Sequence, residues 1–153
     1  RYSSGIAMRW PDVNASAARI ATDFDVRTDS IFTPAGHLSG GNQQKMVVAR
    51  ELSRDIKLIV ASQPTRGVDV GSIEYIHKRI VEARDAGVGV LIVSTELDEI
   101  LAISDRILVM YRGMIVAVFE TAKANVREIG LAMAGAAGMI EHPTGKVFAE
   151  TPA

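Results

Sequence analysis

Short apolar runs alternate with amphipathic stretches through the middle of the chain. The runs at 58–61 and 88–93 are almost entirely apolar, which is typical of strands buried on both faces of a sheet. Between them, residues 72–86 carry isoleucines at helical spacing, which predicts an amphipathic helix. A strand, a helix and a second strand in this order predict a parallel pair joined by a crossover helix.

Similar patterns predict further elements on both sides of this unit. In chain order these are a helix over 14–25 with Asn14 as its N-cap, a loop over 28–36, a helix capped by Ser94 or Thr95 with an acidic first turn, strands over 107–111 and 115–119, and a helix over 124–134. Beyond residue 135 the composition shifts to Gly, Pro, Thr and Glu, which predicts a flexible tail. The fold class predicted from the whole pattern is α/β, with a mainly parallel sheet and crossover helices.

Composition and charge exclude several classes of function. A chain of 153 residues, 48% of them apolar, suffices for one modest domain with a core. The net charge of −1 gives no electrostatic footprint for nucleic acid, and the lack of cysteine excludes disulfides and thiolate metal sites. No apolar run approaches the roughly 20 residues of a membrane helix, so we expect a soluble, cytoplasmic chain. The chain begins with Arg1 rather than methionine, which indicates a fragment or a processed chain.

One turn combines the features of a phosphate-binding site. Ser39 is followed by two glycines, Gly40 and Gly41, which let a ligand approach the backbone with no Cβ in the way. The residues over 43–54 are good helix formers, so this turn lies at or just before a helix N-terminus. Free N–H groups and the positive pole of the helix dipole favour a phosphate there. The alternative is a plain capped turn with no ligand, because the short sequence Ser-Gly-Gly is also compatible with such a turn.

The longer sequence around this turn resembles a known family. The eight residues Leu38-Ser39-Gly40-Gly41-Asn42-Gln43-Gln44-Lys45 resemble the signature motif of the ABC ATPases, in the form found in importers of simple sugars and nucleosides. Further segments with the family's pattern follow in the family's order at 63–71, 96–99 and 104–107. The resemblance covers roughly residues 10–137. Over this range the chain resembles the second ATPase domain of fused, two-domain importers.

The resemblance implies an ATP site shared between two domains. In this family each site combines the phosphate loop of one domain with the signature motif of the other. The motif of this chain would therefore close a site whose phosphate loop and catalytic carboxylate lie on the first nucleotide-binding domain of the same protein. The nucleotide-binding positions implied in this chain are Leu38, Ser39, Gly40, Gly41, Asn42, Gln43, Ser62 and Asp69.

Three residues depart from the pattern of the family's own catalytic site. Where the family has Asp-Glu after the first strand, this chain has Ser62 and Gln63, and Thr95 (or Ser94) stands where the family has its switch histidine. Serine is a poor ligand for Mg²⁺, and glutamine cannot take a proton from water. We expect a degenerate site that binds nucleotide and hydrolyses it poorly, although Gln63 could also be a polar residue at a sheet end with no role. No metal ligand is expected in this chain.

The chain lacks the phosphate loop itself. No G-x-x-x-x-G-K-[ST] sequence occurs, so we expect that loop upstream of residue 1. The predicted division is an end of the helical subdomain with the signature motif over 1–54, the C-terminal half of the ATPase core over 55–137, and a flexible tail over 138–153. The intact protein would be an ATPase that uses ATP and Mg²⁺, whereas this chain by itself would be inactive.

The resemblance also implies partners and a location. Transmembrane permease subunits would hold the protein at the inner face of the cell membrane, as a cytoplasmic, peripheral subunit. A sheet separated from its phosphate-loop strand exposes backbone edge and apolar surface, so the isolated chain should self-associate. Two alternatives remain at this point: a fully active ATPase half, and a non-enzymatic docking module that retains the ABC fold.

Overall fold

The computed structural model describes residues 2–4, 7–140 and 145–147. The chain forms two compact units, which divide between Val93 and Ser94.

Within the described residues, the first unit contains three helices and two strand pairs. Its elements are β1 (Ser3–Ser4), β2 (Ala7–Met8), α1 (Trp10–Asp23), α2 (Gly40–Leu52), β3 (Leu58–Ser62), α3 (Val70–Asp85) and β4 (Gly89–Val93), with a 3-10 turn at Ala35–His37 before α2. The β1–β2 pair is antiparallel and the β3–β4 pair is parallel. The predicted parallel pair, with α3 as its crossover helix, is therefore confirmed.

Helix α1 begins four residues before the predicted N-cap, Asn14. It starts at Trp10, and Pro11 occupies its first turn. Proline fits this position because the first turn needs no backbone N–H and its fixed φ is already helical. An ion pair of 3.0 Å between Arg9 and Asp12 spans the same turn. Residues 10–13, which lie before the predicted helix, are therefore helical.

The strands β3 and β4 are exposed on one face, although both were predicted to be buried on both faces. Residues alternate along each strand between exposed and half-buried, and Val60 is 63% exposed. The exposed apolar side chains lie at alternate positions and so point to the same side of the pair. They are Leu58, Val60, Leu91 and Val93. We call this set the open sheet face.

The second unit packs helices against an antiparallel sheet. Its elements are α4 (Leu97–Ile103), β5 (Arg106–Tyr111), β6 (Met114–Glu120), α5 (Val126–Met133) and β7 (Lys146–Val147), with 3-10 turns at Thr121–Lys123 and Ala137–Met139. Phe119 and Ile129 lie at the centre of its core. The third predicted strand therefore pairs antiparallel with β6 instead of extending the parallel pair. Arg112 and Gly113 both have positive φ, 47° and 81°, which gives the two-residue turn that such a hairpin favours.

The helix starts in this unit also differ from prediction. The Ser94 hydroxyl accepts a hydrogen bond of 3.0 Å from the Glu96 N–H, and α4 begins only at Leu97. This local turn uses the hydroxyl that was predicted to cap the helix. Helix α5 begins at Val126, because the Asn125 side chain caps it.

The predicted flexible tail, 138–153, is described only in part. Gly138 and Met139 belong to a 3-10 turn, and Lys146 and Val147 pair with β6. Residues 141–144 and 148–153 lie outside the described residues, so the flexibility of the tail stays a prediction. Among the described residues, no helix is long and apolar enough to cross a membrane.

Candidate functional site

The start of α2 lies at the turn that the sequence singled out. Ser39 is the N-cap: its backbone is extended, and its Oγ accepts hydrogen bonds from the Asn42 N–H (3.4 Å) and the Asn42 Nδ2 (3.0 Å). Ser39 and Gly40 are exposed. The first N–H groups of a helix have no partner within it, so this end of α2 presents donors to solvent. The predicted position of the helix start is confirmed.

Two predicted nucleotide-binding side chains hold this turn in place. Asn42 Oδ1 accepts a hydrogen bond of 2.9 Å from the Arg27 N–H, and Gln43 Nε2 donates one of 2.8 Å to the Leu38 carbonyl. Their amides thus fix the chain on both sides of Ser39. The Ser39 hydroxyl and the Gly40 N–H lie at the exposed end of α2, where a ligand can approach them.

The two glycines have different surroundings. Gly40 is exposed, whereas Gly41 is buried against the start of α3. There Asp69 caps α3: its Oδ1 accepts from the Ser72 N–H at 3.0 Å, and its Oδ2 accepts from the Ser72 Oγ at 2.8 Å. The hydroxyl bond from Ser72, joined by its N–H, holds the pKa of the Asp69 carboxyl below its usual range. The structure therefore brings Asp69, a predicted binding residue, against Gly41.

A buried lysine near the site was missed by the sequence reasoning. Lys45 has a side chain only 7% exposed, and its Nζ lies 2.6 Å from Asp25 Oδ2 and 3.2 Å from the Asp25 carbonyl oxygen. The ammonium also lies 4.8 Å from the centre of the Tyr75 ring on α3. A spacing of four places Lys45 on one helix face between Gly41 and Ala49, and this spacing is the signal that could have revealed it.

The end of β3 holds two of the three departures from the family pattern. Ser62 is exposed, and Gln63 has a left-handed backbone with φ of 51°. The Gln63 N–H donates to the Val93 carbonyl at 2.7 Å. Gln44 Nε2 donates to the Pro64 carbonyl at 2.6 Å, which joins α2 directly to this segment. The chemistry available here is a hydroxyl and an amide, with no carboxylate at either position.

These residues do not make a good site for Mg²⁺. The ion prefers charged oxygen ligands, and Ser62 and Gln63 offer only neutral ones. Within residues 2–4, 7–140 and 145–147, no group of three or more His, Asp or Glu side chains could hold a metal ion. The third departure, Thr95, lies in the second unit, where it is exposed and follows Ser94. Its role stays a prediction.

Several known proteins are similar to this chain in sequence. The Guanosine import ATP-binding protein NupO of Bacillus subtilis is 46% identical over 134 residues, 88% of this chain and 26% of that protein. The Nucleoside import ATP-binding protein NupA of Lactococcus lactis is 49% identical over 123 residues, 80% of this chain and 24% of that protein. The Glucose import ATP-binding protein TsgD13 of Haloferax volcanii is 47% identical over 88% of this chain and 25% of its own length. No protein-family model matches the chain.

Solved structures show the same fold. An ATP-binding cassette of an ABC transporter in its ADP conformation matches with a TM-score of 0.60 and 28% identity, over 78% of this chain and 45% of that one. A dimeric bacterial ABC transporter cassette matches in fold with a TM-score of 0.65 at 22% identity, over 75% of this chain and 50% of that one. The chain thus spans about a quarter of the curated relatives and about half of a cassette. These likenesses confirm the α/β fold class.

Proposed function

This chain belongs to the ATP-binding cassettes of ABC transporters, and we propose that it completes an ATP site in an importer of simple sugars or nucleosides. The relatives are named for the import of guanosine, nucleosides and glucose, which supports this substrate class. The importer would couple ATP hydrolysis to transport. Its permease subunits would hold it at the inner face of the membrane.

The exposed first turn of α2 carries this proposal. Ser39 and Gly40 are exposed at the positive end of a 13-residue helix. The side chains of Asn42 and Gln43 fix this turn through hydrogen bonds to backbone groups of neighbouring segments. Such a helix end binds phosphate through its N–H groups and its dipole. The Ser39 hydroxyl and the Gly40 N–H would donate to the terminal phosphate of an ATP bound by the first domain of the same protein.

The charge that develops on the transferred phosphoryl group explains how this turn would promote hydrolysis. Donors already fixed toward that charge stabilise the transition state without further reorganisation. The chain would supply these donors, and the first domain would supply the phosphate loop and the catalytic carboxylate. The chain's own site would have Ser62, Gln63 and Thr95 in place of the carboxylates and the histidine. It would hold nucleotide without efficient hydrolysis, and the residues at hand do not fit Mg²⁺.

The two serines that cap the ends of α2 provide a test of the proposal. In the full-length protein, Ser39→Ala removes the proposed phosphate donor, whereas Ser53→Ala removes a hydroxyl at the opposite end of the helix, where it donates to the Ala49 carbonyl. A hydrogen bond to a charged group is worth about 1.5–3 kcal/mol, so Ser39→Ala should lower ATP turnover by about tenfold or more. Ser53→Ala should leave turnover within about twofold. Equal turnover in both variants would reject the proposed role of Ser39.

A further inference from the structure

The first turn of α2 rests directly on the first turn of α3. Among the described residues, a Cβ at Gly40 would meet the Gly67 carbonyl oxygen at 3.5 Å and no other atom within 4 Å, which is an ordinary contact. At Gly41 a Cβ would overlap the Ser72 hydroxyl and lie 2.6 Å from Asp69 Oδ2. The second glycine is therefore needed by α3, whether or not a ligand is bound.

Two sets of contacts fix the part of α3 that lies against α2. Ser72 is buried, and it donates both its N–H and its hydroxyl to Asp69, so both carboxylate oxygens are fixed. One turn further along α2, the buried ammonium of Lys45 lies over the ring of Tyr75, which also belongs to α3. Helix α2 thus contacts α3 at two successive turns of the same face.

We propose that Ser72 and Asp69 are positioning residues for the ATP site, and that they act through Gly41. This inference rests on the proposed function, because it assumes that the start of α2 binds phosphate. Neither side chain needs to touch nucleotide: the Ser72–Asp69 hydrogen bond forms the surface that sets where Ser39 and Gly40 lie. Misplacement by about 1 Å in such an arrangement lowers a rate by about a hundredfold.

The two glycines consequently have separate tasks. Gly40 is the glycine that a nucleotide approaches, and Gly41 is the glycine that α3 requires. A substitution at either position should impair ATP turnover, but only the effect at Gly41 should depend on Ser72. Without the Ser72 hydroxyl, Asp69 Oδ2 loses the hydrogen bond that Ser72 Oγ donates to it, and it can rotate away from an added methyl group.

Rescue by a second substitution tests this separation. In the full-length protein, Gly41→Ala should raise the KM for ATP by about tenfold or more, because the added methyl group displaces the start of α2. Ser72→Ala by itself should also raise the KM, but only by about threefold, because it loosens the start of α2 without displacing it. The double variant G41A/S72A should recover most of the loss. Gly40→Ala is the matched control, and S72A should not improve it. A double variant as impaired as G41A would overturn the proposal, as would an equal rescue of G40A.

A second measurement needs neither ATP nor a folded G41A variant. The Gln43 N–H bonds to the Ser39 carbonyl at 2.9 Å in the first turn of α2, and the Ser53 N–H bonds to the Ala49 carbonyl at 3.0 Å at the other end. In S72A, hydrogen exchange should become faster around Gln43 and stay unchanged around Ser53. Unchanged exchange at both ends would overturn the positioning role. Because exchange requires no catalysis, this result stays separate from a failure of the proposed function, which S39A detects.

Discussion

The ammonium of Lys45 lies 2.6 Å from the carboxylate of Asp25, although the two side chains differ greatly in exposure. Lys45 is 7% exposed and Asp25 is 50% exposed. Asp25 has a left-handed backbone, with φ of 48°, at the residue that follows the C-cap of α1. A buried cation is therefore neutralised by an acid that remains in contact with water, which avoids much of the cost of burying two charges.

Removal of either partner should have unequal effects. Asp25→Asn keeps a residue that tolerates positive φ, but it leaves a buried ammonium without its counter-charge. Lys45→Met keeps the apolar stem and leaves a carboxylate that water can solvate. We expect D25N to lower the free energy of unfolding by about 2–3 kcal/mol and K45M by about 1 kcal/mol. Urea unfolding measures both.

A surface ion pair with the same distance between its nitrogen and oxygen atoms provides the control. Lys123 Nζ lies 2.6 Å from Glu120 Oε2, but both side chains are more than half exposed. Lys123→Met should leave the unfolding midpoint unchanged, because exposed ion pairs contribute little. A loss in K123M as large as in D25N would show that burial does not set the strength of the Lys45–Asp25 pair.

The same pair predicts how stability depends on pH. The hydrogen bond from Lys45 holds the pKa of the Asp25 carboxyl below its ordinary value of 3.8. The ionised form is favoured in the folded state, so the stabilisation is fully present above the unfolded pKa and is lost as the pH falls through the lower folded pKa. The difference in unfolding free energy between the wild type and D25N should be constant above about pH 5 and shrink below pH 3.8. A difference that stays constant down to about pH 2 would contradict this assignment.

Local patterns predicted much of the fold. The Ser39 cap, the helix after it and the parallel β3–β4 pair follow from turn residues and apolar runs, which act over a few positions. The start of α1 was misplaced because a proline in the first turn carries more weight than a later asparagine. The exposed face of β3 was missed because a continuous apolar run gives no sign of which side will be covered.

The site was harder to predict, because its contacts join distant segments. Both glycines of the turn suggested a ligand, but Gly41 meets Asp69 and Ser72, about thirty positions away in the sequence. Lys45 and Asp25 likewise form their ion pair across a long separation. A single sequence carries residue types and spacings, and it does not state which helix faces will meet.

The proposed degeneracy of the chain's own site predicts that replacing Gln63 by glutamate will not by itself restore hydrolysis there. In the full-length protein, Gln63→Glu should change ATP turnover by less than about twofold, because Ser62 and Thr95 would remain. The triple variant S62D/Q63E/T95H should gain more than Q63E. Turnover of each is compared with the wild type at saturating ATP and Mg²⁺. A gain of about a hundredfold in Q63E, the size expected of a restored general base, would reject the prediction.

The open sheet face predicts self-association of the isolated chain. Its four apolar side chains lie together on two strands that have no further neighbours in their sheet among the described residues. A parallel pair with an apolar face in water favours contact with a second copy. Light scattering should show a mass that rises with concentration, and Val60→Lys should suppress the rise.

An exposed valine on a helix gives the control for this experiment. Val70 is 72% exposed at the start of α3, outside the open sheet face. Val70→Lys adds the same charge and should associate like the wild type. A wild-type chain that remains monomeric at high concentration would contradict the prediction, and equal effects of V60K and V70K would place the contact elsewhere.

Calorimetric titration of Mg-ATP into this chain by itself tests the division of the ATP site. The chain would offer Ser39, Gly40 and neighbouring donors, and two or three hydrogen bonds to a phosphate supply about 1.5–3 kcal/mol each. Association costs at least about 4 kcal/mol, whereas a micromolar dissociation constant needs a net 8.2 kcal/mol or so. We therefore expect no saturable heat in the micromolar range, and clear binding by the full-length protein under the same conditions. Stoichiometric binding by the chain alone would mean that it holds a complete nucleotide pocket, and the proposed sharing of the site with another domain would be wrong.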